Sequence, residues 1–259
     1  MPYSHIIDTH AHYDDRRFDG LLDDVFTCQK LAGVECIINN AADLEGAAAS
    51  VQLAARYDFV YAAVGVHPEA AENLPGDWLG RVEALARQPK VVAIGEIGLD
   101  YHYDQPERAV QQSVFREQLA LANRLGLPVE IHDRDAHGDV LAILRETRPQ
   151  GCLHRYSGSP EMAREIVKLG MYLGIGGALT YKNSKKEAAT VAEIPLEWLI
   201  LETDCPYLAP AGYRGRTCTS DMIGLVAERI AEIKGGGLTA QGVLNATRSN
   251  AMRLFRLPL

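Results

Sequence analysis

The chain has 259 residues, 47% of them hydrophobic and 23% charged, the composition of an ordinary globular protein with enough apolar mass to build its own core. A formal net charge of −8 excludes the broad basic footprint of a protein that wraps long nucleic acid, so any phosphate-bearing substrate has to be held locally, by a few arginines or by metal ions. Five cysteines (Cys28, Cys36, Cys152, Cys205 and Cys218), odd in number and without a CxxC pair, exclude a disulfide framework and a zinc ribbon and fit reduced thiols. No basic-then-apolar leader opens the sequence, and no apolar run approaches membrane-spanning length. The expected location is the cytoplasm, with no membrane and no protein partner.

Short apolar, β-branched runs alternate with stretches of helical periodicity. Strands are predicted at "HIID" (5–8), "ECIINN" (35–40), "VYAAVGV" (60–66), "VVAIGEI" (91–97), "PVEIH" (128–132), "GCLH" (151–154), "MYLGIG" (171–176) and "WLILETD" (198–204). Their near-continuous hydrophobicity is what a parallel sheet covered on both faces requires. Between them, Phe18, Leu21, Leu22, Val25 and Phe26 form an amphipathic helical stripe. The run "ERAVQQSVFREQLALANRLG" reads as a helix closing at Gly126, and "SPEMAREIVKLG" as one capped by Ser159, with Pro160 in its first turn and Gly170 past its end. "KGGGLT" (234–239) reads as a loop between two helices. Eight strands alternating with helices over residues 1–259 predict one domain, a (β/α)8 TIM-type barrel of the α/β class. The main competitor, an open doubly wound sheet, lacks a Gly-rich phosphate loop after the first strand.

The polar residues fall where barrel enzymes build their sites. His10 and His12 follow the first strand, Glu96 ends the fourth, His132 the fifth, His154 the sixth and Asp204 the eighth. Asp8, His10 and His12 are spaced by two, which puts them on one face of an extended strand, and a buried face of that kind is costly unless something satisfies it. Imidazole and carboxylate without thiolate suit Zn²⁺, Mn²⁺, Ni²⁺ or Fe²⁺, and the carboxylates also admit Mg²⁺. Four histidines and two carboxylates exceed what one tetrahedral ion needs, so two divalent ions are expected, with Glu96 as the bridge and Asp8 supporting the pair His10 and His12 from behind.

Taken together, "IDTHAH", "VGVHPE", "IGEIGLDY", "PVEIHDR", "HRYSG", "LETDCPYL", "YRG" and "NAMRLF" resemble the TatD-related hydrolases, a branch of the metal-dependent amidohydrolase superfamily. The matching elements run from residue 7 to residue 255. The resemblance implies a TIM-type barrel, one to three divalent metals and hydrolysis, most often deoxyribonuclease action on phosphodiesters. It places the family's metal ligands on His10, His12, Glu96, His132, His154 and Asp204. Where many members continue after "YRG" with Lys-Arg-Asn-Glu-Pro, this chain reads "RTCTSD" from Arg216, a departure that bears on substrate preference. Glu96 stands where other amidohydrolases carry a carboxylated lysine, which favours the TatD branch.

On this reading Asp204 holds a metal and accepts the proton of the attacking water, with Glu96 as its catalytic partner. Phosphate contacts are expected from Arg134, Arg155, Lys182 and Arg214, with His67 facing the site and Glu202 orienting a ligand or a water. Arg216 and the tyrosines Tyr101, Tyr156, Tyr181 and Tyr207 are further candidates, the rings for stacking on a base. The expected substrate is a DNA or RNA end, cleaved as by an exonuclease, or a small phosphoester. The alternatives are the same metal chemistry on an ester or amide, including an aminoacyl ester of RNA, and a catalytically idle barrel that serves only as a binding partner.

Overall fold

Strand residues in this chain are buried on both sides, by the barrel interior and by a jacket of helices, which is why their sequence is apolar throughout instead of alternating. The structure, a computed structural model, describes residues 3–103 and 105–259. In chain order the elements are β1 (Ile6–Ala11), α1 (Leu22–Leu31), β2 (Val34–Asn40), α2 (Leu44–Arg56), β3 (Val60–Ala63) and α3 (Trp78–Ala86). Next come β4 (Val91–Asp100), α4 (Arg108–Leu125), β5 (Val129–Arg134), α5 (His137–Thr147), β6 (Gly151–Leu153) and α6 (Pro160–Lys168). β7 (Tyr172–Ile175), α7 (Lys185–Glu193), β8 (Leu199–Leu201), α8 (Ile223–Lys234) and α9 (Ala240–Phe255) complete the chain. The eight strands pair in parallel in the order β1 to β8. This is a single (β/α)8 barrel, with an additional helix, α9, packed beside α8. Among the described residues, no helix is long and apolar enough to cross a membrane.

The caps follow the sequence signals. Ser159 accepts a hydrogen bond from Met162 N at the start of α6, Asp43 accepts from Glu45 N and Gly46 N at the start of α2, and Thr239 accepts from Gly242 N at the start of α9. Gly126 ends α4 in the left-handed region at φ 66°, where a side chain is strained. A cluster of Ile7, Cys36, Ile38, Ala63, Ala93 and Ile200 fills the barrel between its strands, and Leu254, Phe255 and Leu257 from the chain's end pack onto it.

Several boundaries shift. β1 runs on to Ala11, so His10 lies within the strand and not after it. β3 ends at Ala63, and β8 stops at Leu201, leaving Glu202 to Asp204 outside the ladder with Asp204 at φ 62°. The stripe from Phe18 to Phe26 is divided by Gly20 at φ 72°: Arg16–Phe18 form a 3-10 turn, and the helix begins at Leu22.

Asp8 differs from expectation. The β1–β2 ladder slips between Asp8 and Ala11, which breaks the two-residue alternation and separates Asp8 from the imidazoles. Its carboxylate accepts instead from Thr203 N (3.0 Å), the Thr203 hydroxyl (2.6 Å) and the Ser220 hydroxyl (2.6 Å). Because β8 is only three residues long, the mouth of the barrel closes mainly there. Asp204 N donates to His10 O (2.9 Å) and His12 N to Cys205 O (2.7 Å), beside a parallel bridge between Ala11 and Cys205. Asp8 is therefore the clasp that ties β1 to the segment carrying Asp204. Asp8→Ala, which leaves these donors buried without an acceptor, is expected to lower unfolding stability by roughly 3 kcal/mol or more in urea denaturation. A variant as stable as the parent would contradict this role.

Candidate metal centre

Glu96 reaches the centre of the mouth from β4, and imidazoles from neighbouring strands surround it. Its Oε1 lies 2.7 Å from His132 Nδ1, 3.2 Å from His154 Nε2 and 3.6 Å from His67 Nε2. Its Oε2 lies 3.4 Å from His10 Nε2 and 3.7 Å from His12 Nε2. Asp204 joins the second group, its Oδ1 3.4 Å from His12 Nε2. The structure thus brings together all six residues expected from the sequence, the other five arranged about the Glu96 carboxylate, with His154 also within reach of His10 and Asp204. The His10 and His154 rings stack at 3.8 Å between centroids.

The far sides of the rings are fixed by groups that spacing alone did not assign. His10 Nδ1 is 2.8 Å from Glu130 Oε2, His12 Nδ1 is 2.9 Å from the Asn40 carbonyl oxygen, and His132 Nε2 is 3.1 Å from Asp100 Oδ2. His154 Nδ1 is 3.3 Å from Glu202 Oε1. Carboxylate and carbonyl oxygens only accept from such rings, so Nδ1 of His10, Nδ1 of His12 and Nε2 of His132 carry protons, whereas His154 Nδ1 lies beside Glu202 without a hydrogen bond. The signal for two of the missed residues was the strand period: Asp100 lies four residues after Glu96, and Glu130 two before His132. Asn40 acts through its backbone, which no side-chain pattern reveals.

This arrangement tests whether a metal fits. His10 Nε2 and His12 Nε2 face each other at 3.2 Å. With both Nδ1 protons committed elsewhere, the facing nitrogens repel unless a proton or a metal cation lies among them; burial disfavours the charged His10 ring, but Glu96 and Glu130 hold its pKa well above the usual value. Among the described residues Glu130 Oε1, Glu202 Oε2 and His154 Nδ1 have no hydrogen-bond partner, so the polar groups beneath the cluster are not fully satisfied by one another. The donor set fits a divalent cation.

Protonation follows the same field. Burial raises the Glu96 pKa, but the facing His154, His67 and His10 outweigh it and hold the carboxyl well below its usual range. Asp204 behaves likewise: burial opposes its charge, and the His12 hydrogen bond and the neighbouring imidazoles win. Burial disfavours the His132 imidazolium, yet hydrogen bonds to Asp100 and Glu96 lift its pKa to about 9. His67 is the exception, since burial dominates and lowers it to about 4. Its Nδ1 accepts from Glu69 N at 3.2 Å, so the neutral ring directs an Nε2–H toward the site. His67 is placed as a donor, although its Nε2, Glu96 and His132 are close enough together to hold an ion.

A cavity of about 610 Å³ opens above the cluster, and His67, Arg134 and Arg155 line it. Arg155 Nη1 lies 3.4 Å from Asp204 Oδ2, and Arg134 Nη1 3.8 Å from Asp100 Oδ2. Arg214 and Arg216 line an adjoining cavity, which shares Tyr207 with the first. Two expected substrate contacts are not in place. Glu202 is fully buried beneath His154, where it also accepts from Arg155 N, so it braces a ring and does not reach substrate. Lys182 is exposed in the loop before α7 and lines neither cavity. Tyr156 is buried and donates to Ser159 O, whereas Tyr207 and the unanticipated Tyr103 stand exposed at the rim.

A family model described as "TatD related DNase" matches residues 7–256. The chain belongs to the TatD-related DNase family. A Bacillus subtilis protein named "Uncharacterized metal-dependent hydrolase YabD" is 41% identical over 255 residues, covering 97% of this chain and 99% of that one. A Cronobacter turicensis protein named "3'-5' ssDNA/RNA exonuclease TatD" is 36% identical over 250 residues, covering 92% and 93%. The crystal structure of YjjV, a TatD homologue from Escherichia coli K12, superposes with a TM-score of 0.92 at 34% identity, covering 98% of this chain and 99% of the other. The cluster described above is carried on a barrel closely matched by a solved relative.

The packing beneath that site has no slack. A Cβ added at Gly174 would meet Glu202 Oε2 at 2.1 Å. Gly174→Ala is expected to push Glu202 off His154 and weaken divalent-metal binding about 10- to 100-fold in chelator competition. Gly212→Ala, where a Cβ meets open space, serves as the control. Equal metal affinity in the two variants would contradict the bracing role of Glu202.

Proposed function

We propose that this chain is a divalent-metal-dependent hydrolase that cleaves phosphodiester bonds at the end of a DNA or RNA strand. The observation that carries the reading is the gathering of donors about Glu96, with His10, His12 and Asp204 toward one side, His132 at Oε1 on the other, and His154 at Oε1 yet also within reach of His10 and Asp204. Each side would hold one ion, with Glu96 common to both. Divalent cations bound there supply Lewis acidity toward a phosphoryl oxygen and lower the pKa of water to near neutrality.

The chain's own residues do the rest. Glu130, Asp100 and the Asn40 carbonyl fix the orientation of three rings and Glu202 lies against the fourth, so a bound cation would displace only the protons on the nitrogens that face Glu96. Asp204, kept ionised at the cavity wall, is placed to take a proton from the attacking water. His67 offers a neutral N–H to a phosphoryl or leaving oxygen, and Arg134 and Arg155 offer guanidinium groups to its charge. The curated relative named as a single-strand exonuclease supports the nucleic-acid substrate.

A second reading, the same chemistry on a carboxylic ester or amide, is favoured by one feature. Asp14, Asp15 and Glu69 give the cavity an acidic wall, which disfavours a polyanion along that side. End-labelled single-stranded DNA and RNA, a nitrophenyl phosphodiester and a nitrophenyl acetate, each with Mg²⁺, Mn²⁺, Zn²⁺ or a chelator, separate the two readings. Metal-dependent shortening from one terminus is expected, with Asp204→Asn and His132→Ala lowering turnover about a thousandfold or more. Turnover confined to the acetate would replace the first reading with the second. Retained hydrolysis in purified Asp204→Asn would overturn the mechanism.

A further inference from the structure

The second cavity, of about 370 Å³, adjoins the metal mouth through a shared wall of Tyr207 and Leu208. Three arginines, Arg17, Arg214 and Arg216, line it, and no carboxylate does. It is a local concentration of positive charge in a chain of net charge −8. Some exposed arginines elsewhere are matched with acids, Arg56 with Asp23, Arg124 with Glu83 and Arg145 with Glu165, whereas among the described residues Arg81, Arg108 and Arg148 are not, so it is the gathering of three around one cavity that sets this place apart. Among the described residues neither Arg214 nor Arg216 forms an ion pair, and Arg17 has only Asp15, at 3.7 Å.

These guanidinium groups are braced on rings instead. Arg214 lies over Tyr181 at 4.9 Å, Arg17 over Tyr207 at 4.5 Å and Arg216 over Tyr213 at 5.7 Å. A guanidinium held by its face on an aromatic ring keeps its N–H edge free for an oxyanion, and three such edges around one cavity suit a phosphate. Tyr207, its hydroxyl donating to Asp15 Oδ2 at 2.9 Å, presents its ring between this cavity and the metal mouth.

We infer that the arginine cavity is a second anion subsite, which holds the phosphate neighbouring the scissile one while Tyr207 lies against the nucleotide between them. This rests on the phosphodiesterase reading and sharpens it: the substrate is a strand with at least two phosphates, not an isolated diester. Of its three arginines, Arg214 lies in the "YRG" element, Arg216 opens the segment that departs from "KRNEP", and Arg17 comes from the loop after β1.

Two measurements on the full chain test this. In the first, kcat/KM is compared for thymidine di- and trinucleotides without terminal phosphates (one and two phosphates), in the parent and in Arg214→Ala/Arg216→Ala. The parent is expected to prefer the trinucleotide about tenfold, and the double variant to lose that preference. In the second, thymidine 3′,5′-bisphosphate is titrated calorimetrically, with and without EDTA. Its Kd is expected to rise about tenfold in the double variant under both conditions, with salt weakening the parent more than the variant. A trinucleotide preference that survives in the double variant, or an unchanged Kd, overturns the subsite. If neither oligonucleotide is hydrolysed by the parent, the phosphodiesterase reading falls, and the titration still decides whether the anion site exists.

Discussion

One carboxylate, Glu96, is shared by imidazoles from different parts of the chain, and the rest of the structure can be read as what that sharing requires. A buried acid surrounded by ring nitrogens is stable only if each proton is assigned and the remaining charge has a cation to meet. The barrel supplies the first condition through acceptors behind three rings, Glu130 for His10, Asn40 O for His12 and Asp100 for His132, with Glu202 lying against His154. The second is left open toward the mouth, where the facing nitrogens of His10 and His12 leave a place for positive charge.

The fold serves this arrangement by strand geometry. Parallel strands all end at the same rim, so residues distant in sequence arrive together there without long loops to hold them. The weakest place in such a barrel is its seam, and here β8 is short and Asp204 sits just beyond it in a left-handed backbone. Asp8 closes that seam from below, so an acid close in sequence to two candidate ligands acts on the backbone of a third. Side-chain chemistry at the rim and closure of the fold are thus held by the same few residues.

Much of this was legible in the sequence because the two periods involved are simple. Apolar runs of strand length, separated by helical stripes, gave the barrel, and donor residues at the ends of those runs gave the six residues that meet in space. What was not legible required knowledge of register. Asp8 shares the parity of His10 and His12, yet the ladder slips between them, and a slip leaves no mark in the residue types. Glu202 was visible as an inward acid but not as the brace of His154, because its depth depends on Gly174 making room across the neighbouring strand. Lys182 was a plausible cation by its place after a strand, but loop direction, which no periodicity encodes, leaves it in solvent. The arginine cavity was hidden for a similar reason: Arg17 and Arg216 are far apart in the chain and meet only around Tyr207.

Two-sided use of Glu96 is what the proposed metal centre depends on. Anomalous diffraction from crystals of this protein grown with Mn²⁺ reads it directly. Two ions are predicted, one bounded by His10, His12 and Asp204 and the other by His132 and His154, with one oxygen of Glu96 on each. A single ion, or a pair that leaves Glu96 uncoordinated, would contradict it.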